Sequence, residues 1–209
     1  MTKIPMIRNI VFDMGGVLIL FDPDLFLKRY EKSAEESRLL KNEVFGSVEW
    51  VSLDRGTISY EEAFRAIQKR LPEKLHETAW DILLRWDQPL IMIPGMEELV
   101  RDLTEAGYAV YLLSNASVRQ PEYWKRIPAS RYFTDVMISC DYKLLKPDPA
   151  IFHAAYEKFG IKPEESLFID DNVGNVEAAA FTGMQGFVFR ENASDVRDWL
   201  VNLEVRIPR

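Results

Sequence analysis

Apolar positions along the chain follow two kinds of pattern. Short, largely apolar runs at residues 7–13, 109–114, 136–139, 167–170 and 187–189 are bounded by turn or acidic residues and lack regular alternation. Such runs fit strands buried on both faces, as in a parallel sheet covered by helices. Between them the spacing turns helical. A helix is predicted over 96–105, opened by Pro94-Gly95 and closed before Gly107; others over 148–159 and 173–181 stop at Gly160 and Gly183. Glycine at these stops permits the left-handed turn that ends many helices. The alternation predicts an α/β fold, a doubly wound, mainly parallel, Rossmann-like sheet. A last helix is expected over 195–202, followed by a tail.

Residues 23–88 break the alternation. Helices are predicted at 23–32, 34–45, 59–70 and 72–86, with no strand among them, and Ser59 with Glu62 forms a capping box. A strand–helix–strand crossover needs only about a dozen residues, yet nearly a hundred separate the first two runs. The surplus predicts a small all-helical cap at 21–89, inserted after the first strand of a core made of 1–20 and 90–209. Ligands in open α/β sheets bind beyond the carboxyl ends of the strands, so the cap is expected to cover that edge.

Composition narrows the function classes. The 209 residues, 47% apolar and 28% charged, suit one core with a small appended lobe. The net charge of −7 speaks against nucleic-acid or anionic-membrane partners. Cys140 has no second cysteine to pair with and reads as a small buried hydrophobe in a cytoplasmic protein. Asp13 interrupts the apolar start, so neither a signal peptide nor a membrane span is expected there. His76 and His153 lack ligand spacing for zinc. A monomer or weak homodimer is expected.

Four strand ends carry candidate chemistry. The first, VFDMGGVL, places Asp13 before Gly15-Gly16, on a loop whose backbone can approach an anion. The second, YLLSNAS, offers the Ser114 hydroxyl and the Asn115 amide to phosphate oxygens, or to a helix cap. In KLLKPDPAIF, Lys146 precedes Pro147 and is held extended, with Lys143 the competing lysine. The fourth, LFIDDNVGNVEAA, sets Asp170 and Asp171 side by side near Asn172 and Asn175; two such carboxylates suit a cation such as Mg²⁺.

Acid, hydroxyl, lysine and acid pair, in this order, resemble the haloacid dehalogenase-like (HAD) hydrolase superfamily. Within it they look like the phosphatases carrying Asp-x-Gly-Gly/Asn-Val, a subgroup that includes α-D-glucose-1-phosphate phosphatase. The resemblance implies that Asp13 attacks phosphorus and forms an aspartyl-phosphate, and that Ser114 and Asn115 bind phosphoryl oxygens while Lys146 balances charge. It also implies Mg²⁺ held by Asp13, the Gly15 carbonyl and Asp171, with Asp170 as a second or outer ligand and Asn175 near a metal-bound water. The expected substrate is a small phosphate ester.

One departure stands out: the family's phosphatases usually carry a second aspartate where this chain has Gly15. A better leaving group, such as an anomeric sugar oxygen or an acyl group, suffers less from that loss, so the gap leans towards a sugar phosphate such as a hexose 1-phosphate. Asp22 is a candidate replacement acid, or else a helix cap. Trp124, directly after the second motif, is the candidate pocket aromatic, whereas Trp50, Trp80 and Trp86 are assigned chiefly to packing. Arg119, Lys125 and Arg126 are assigned to solvent. Two other readings stay open: a metal-independent 2-haloacid dehalogenase, and a catalytically degenerate HAD-fold binding protein.

Overall fold

The computed structural model describes residues 6–190 and 192–207. Its sheet has five parallel strands: β1 (Asn9–Phe12), β2 (Ala109–Ser114), β3 (Asp135–Ile138), β4 (Ser166–Asp170) and β5 (Gln185–Val188), ordered β3-β2-β1-β4-β5. Each lies within two residues of its apolar run. Between β1 and β2 lie α1 (Pro23–Leu27), α2 (Ala34–Leu40), α3 (Val48–Arg55), α4 (Tyr60–Ile67), α5 (His76–Arg85) and α6 (Met96–Glu105). Then come α7 (Gln120–Trp124), α8 (Ser139–Tyr142), α9 (Pro149–Phe159), α10 (Val173–Phe181) and α11 (Ala193–Asn202). Of the expected tail, residues 208–209 lie outside the described residues.

The strands alternate between two cores, as a pleated backbone requires. Ile10, Phe12, Val110, Leu112, Leu167 and Ile169 meet Met96, Leu99 and Leu103 of α6 and Val196 and Leu200 of α11. Val11, Tyr111, Leu113, Met137 and Phe168 meet Ile151, Phe152 and Ala155 of α9 and Ala179 of α10. Cys140 is buried in the first core, where burial pushes its thiol up to about 11.

Helices alone occupy residues 23–85, and two capping boxes, Ser33 with Glu36 and Ser59 with Glu62, start α2 and α4. Within this stretch α3, capped by Ser47 and ended by Gly56, was not expected, nor were the short α7 and α8 further on. The chain leaves and re-enters the core through a short antiparallel stem. Ile93 N donates to Leu18 O, Ile19 pairs with Met92, and Leu20 N donates to Ile91 O.

A second attachment lies at the end of α3. Ser139 Oγ donates to the carbonyl of Asp54, Lys143 Nζ donates to that of Gly56, and Tyr60 Oη shares a proton with Ser117 Oγ. Gly56 has φ +70°, and a Cβ there would lie 2.5 Å from the Cys140 carbonyl, so only glycine allows the approach.

Candidate active site

The strand order reverses at β1: the chain runs outward through β2 and β3, then returns to β4 on the other side. Such a reversal opens a crevice at the carboxyl ends of the strands. Phe12 stands level with both Leu112 and Ile169, so Asp13, the end of β2 and Asp170 arrive together. Asp13 is buried, and its N–H donates to Ile169 O at 2.9 Å.

Lys146 joins the two acids. Its Nζ lies 2.8 Å from Asp13 Oδ1 and 2.6 Å from Asp170 Oδ2. Of the two candidate lysines, it is thus the one in the site, since Lys143 reaches Gly56 instead. Asn115 holds the Lys146 backbone: Lys146 N donates to Asn115 Oδ1 and Asn115 Nδ2 donates to Lys146 O, both at 2.9 Å. Ser114 and Asn115 both line the crevice, and the Asn115 amide is in addition engaged by the main chain of Lys146.

The acid pair divides into two environments. Asp170 is fully buried; Oδ1 accepts from Asn172 N and Asn175 Nδ2, and Oδ2 from Lys146 Nζ and Asn175 Nδ2, at 2.6–3.0 Å. These bonds fill its four lone-pair positions. Asp171 is exposed and lies against the Gly15-Gly16 loop. Gly16 has φ +74°, which favours glycine, and a Cβ on it would come 2.2 Å from Asp171 Oδ2, so the Asp171 carboxylate would have to move aside.

Electrostatics mark a shortage of positive charge. Asp13, Asp170 and Asp171 offer oxygens within 4.8 Å of one another, against the single ammonium of Lys146. Burial pushes Asp13 up to about 7; Lys146 opposes that rise and Asp170 adds to it. Burial and Asp170 also raise Asp171. Lys146 is held above its ordinary range because the two carboxylates outweigh the cost of burying it. Hard carboxylate oxygens crowded around a single ammonium fit a divalent cation such as Mg²⁺.

Above these groups is a cavity of about 240 Å³. Its floor includes Asp13, Gly15, Ser114, Lys146, Asp171 and Asn175, and the inserted helices supply Trp50, Leu53, Asp54, Tyr60, Leu83 and Trp86. Phe21, at the start of the insert, packs on Trp86 at 5.2 Å between ring centroids, and Trp86 on Tyr123 at 5.3 Å. Trp50 and Trp86 therefore face the cavity as well as the core, while Trp80 packs on Phe64.

Trp124 does not line the cavity. Neighbouring helical residues point in different directions, so Tyr123 faces the cavity and Trp124 packs edge-on against Phe133. Asp22 caps α1, accepting from Asp24 N and Leu25 N. Arg119 and Arg126 are not merely solvated: both pair with the buried Asp87.

Asp54, on α3, was not foreseen. It faces the cavity, half-buried, and desolvation pushes its carboxyl up to about 8, against a hydrogen bond from Trp50 and helped by the charge of Asp13. The available signal was Ser47 as N-cap and Gly56 as stop, which together bracket a two-turn helix.

A family of haloacid dehalogenase-like hydrolases matches residues 7–183. D-ribitol-5-phosphate phosphatase of Bacteroides thetaiotaomicron is 28% identical over 214 residues, covering 93% of this chain and 97% of that protein. A drimenol cyclase of Aspergillus calidoustus is 24% identical over 95% of this chain, which spans only 37% of that protein's length. The crystal structure of a HAD family enzyme from Bacteroides thetaiotaomicron, in complex with magnesium and inorganic phosphate, superposes with a TM-score of 0.69. It is 25% identical, over 91% of this chain and 98% of that one. From strand order to the paired acids beside a buried lysine, the chain belongs to the haloacid dehalogenase-like hydrolases.

Proposed function

We propose that the protein is a Mg²⁺-dependent phosphatase that hydrolyses a small phosphorylated metabolite through an aspartyl-phosphate on Asp13. The observation that carries this reading is the 2.8 Å contact between Asp13 and the buried ammonium of Lys146, with two more carboxylates within 4.8 Å. The likeness to D-ribitol-5-phosphate phosphatase supports a phosphorylated sugar or polyol as the substrate class. A hexose 1-phosphate belongs to that class.

Asp13 attacks phosphorus, and Lys146 lowers the repulsion between its carboxylate and the incoming dianion. The Ser114 hydroxyl donates to a phosphoryl oxygen. Asp13, Asp171 and the Gly15 carbonyl would hold Mg²⁺, which supplies positive charge to the phosphoryl oxygens. With its lone pairs taken, Asp170 keeps Lys146 and the following loop in place. Phe21, Trp50 and Trp86 give the cavity an aromatic wall beside these groups.

The test is hydrolysis of 4-nitrophenyl phosphate with Mg²⁺ and with EDTA, beside Asp13→Asn, followed by a panel of sugar and polyol phosphates. Turnover that needs both the metal and Asp13 supports the reading. Turnover in EDTA, or by Asp13→Asn, would overturn it.

A further inference from the structure

We propose that Asp54, on helix α3 of the insert, is the general acid and base of this site, giving its proton to the departing oxygen and taking one from the attacking water. This rests on the phosphatase reading above and supplies the group that the loop after β1 lacks at Gly15. The alkoxide of an ordinary sugar or polyol ester is a poor leaving group, and a carboxylic acid lining the cavity would supply the proton it takes up.

The cavity's titratable side chains are few. Asp13 is the nucleophile, Lys146 is bonded to Asp13 and Asp170, and Asp171 belongs to the cation cluster. Tyr60 is bonded to Ser117, and burial raises both Tyr60 and Tyr123 above the ordinary phenol range, making each a poorer acid. Asp54 is the remaining carboxyl among the residues that line the cavity, and it stands on helix α3 rather than on a strand end.

Its position is set by the core. Ser139 Oγ accepts from Ala116 N just past the second strand, at 2.9 Å, and donates to the Asp54 carbonyl. Gly56 closes onto Cys140 two residues later. Helix α3 is thereby tied to the loop that carries Ser114 and Asn115. The environment suits an acid: burial holds the carboxyl protonated near neutral pH, and the groups around it are Trp50, Tyr60, Tyr123, Cys140 and the charge of Asp13.

The protons balance over the two steps. As Asp13 Oδ bonds to phosphorus and the ester P–O bond breaks, the Asp54 proton goes to the leaving oxygen and the alcohol departs. The Asp54 carboxylate then takes a proton from water as that water's oxygen bonds to phosphorus. The bond between phosphorus and Asp13 breaks, inorganic phosphate leaves, and Asp54 is again protonated.

Substituted phenyl phosphates and ethyl phosphate, none of which carries a sugar hydroxyl, test this through the dependence of kcat/KM on leaving-group basicity. The wild type should show a shallow dependence. Asp54→Asn should lose about 10²–10⁴-fold on ethyl phosphate and far less on 4-nitrophenyl phosphate. Equal losses on every ester, or no loss, would overturn the assignment while leaving the phosphatase reading intact. If Asp54→Asn does not fold, the wild type decides: a shallow slope supports an acid in the site and a steep one overturns it. Absence of turnover on all esters would sink the assignment together with the reading it rests on.

Discussion

Asn115 and Lys146 face each other through two hydrogen bonds of 2.9 Å, running in opposite directions between one side-chain amide and one residue's main chain. The end of the second strand thereby fixes the backbone from which the charge-bearing ammonium extends. Asn115→Ala removes both bonds, each worth about 1 kcal/mol. The expected result is a fall in kcat larger than any rise in KM, because Lys146 shifts relative to Asp13. Steady-state kinetics on 4-nitrophenyl phosphate check it, and a KM effect alone would contradict it.

Lys146 answers two buried carboxylates at once. Removing one partner of a buried ion pair costs about 3–5 kcal/mol. Lys146→Met should lower stability on that scale at pH 7 and less at pH 5, where Asp13 takes up a proton. Urea midpoints at the two pH values measure this. Turnover should be lost at both.

The adjacent glycines should behave differently. Gly16→Ala puts a methyl into the Asp171 carboxylate at positive φ, with an expected cost of about 1–3 kcal/mol and weaker Mg²⁺ binding by calorimetry. At Gly15 a Cβ meets only Phe21 Cβ, at 3.6 Å, so Gly15→Ala should cost less. Equal costs would mean that the contact with Asp171 is not what selects glycine.

Stability should fall as pH rises from about 4 to 8. Asp13 and Asp54 hold their protons in the folded state up to about 7 and about 8, against 3.8 as the ordinary value. Across that window the unfolded chain has released protons that the folded chain keeps. Each group contributes at most about 1.4 kcal/mol per pH unit. Mg²⁺ should flatten the fall by displacing the Asp13 proton, and Asp54→Asn should flatten it without metal. Urea midpoints between pH 5 and 8 give the slope, and a midpoint that climbs with pH would contradict it.

Much of the fold was legible because its strands are apolar on both faces and its long helices end at glycines. Asp13, Ser114 and the acid pair were legible as strand ends, whereas Lys146, expected at one too, lies eight residues past the end of β3, on the loop between α8 and α9. Helix α3 was not, because its surface is inverted: Val48 and Val51 face solvent while Glu49 is buried, held by Arg70 at 2.7 and 3.0 Å. Apolar periodicity cannot find a helix whose buried face includes a paired acid. Asp54 went unseen with it. Trp124 failed for a smaller reason, since α7 turns its neighbour Tyr123 to the cavity, and one residue's rotation is below the resolution of sequence proximity. For Asn115, what the sequence does not show is its second engagement, because nothing there tells which amides the backbone of a distant loop will claim.

The stem at Leu18–Leu20 and Ile91–Ile93 has a consequence for how such a protein can diversify. The sheet meets the seventy or so intervening residues as it would meet a hairpin, through two ends already side by side, and closing a longer loop adds only slowly to the entropic cost. Lengthening or trimming those helices away from the α3 attachment would therefore require no change of strand register. If Asp54 acts as assigned, exchanging the insert would also replace the proton donor, so one recombination could change leaving-group preference and substrate shape together while the nucleophile stays in place.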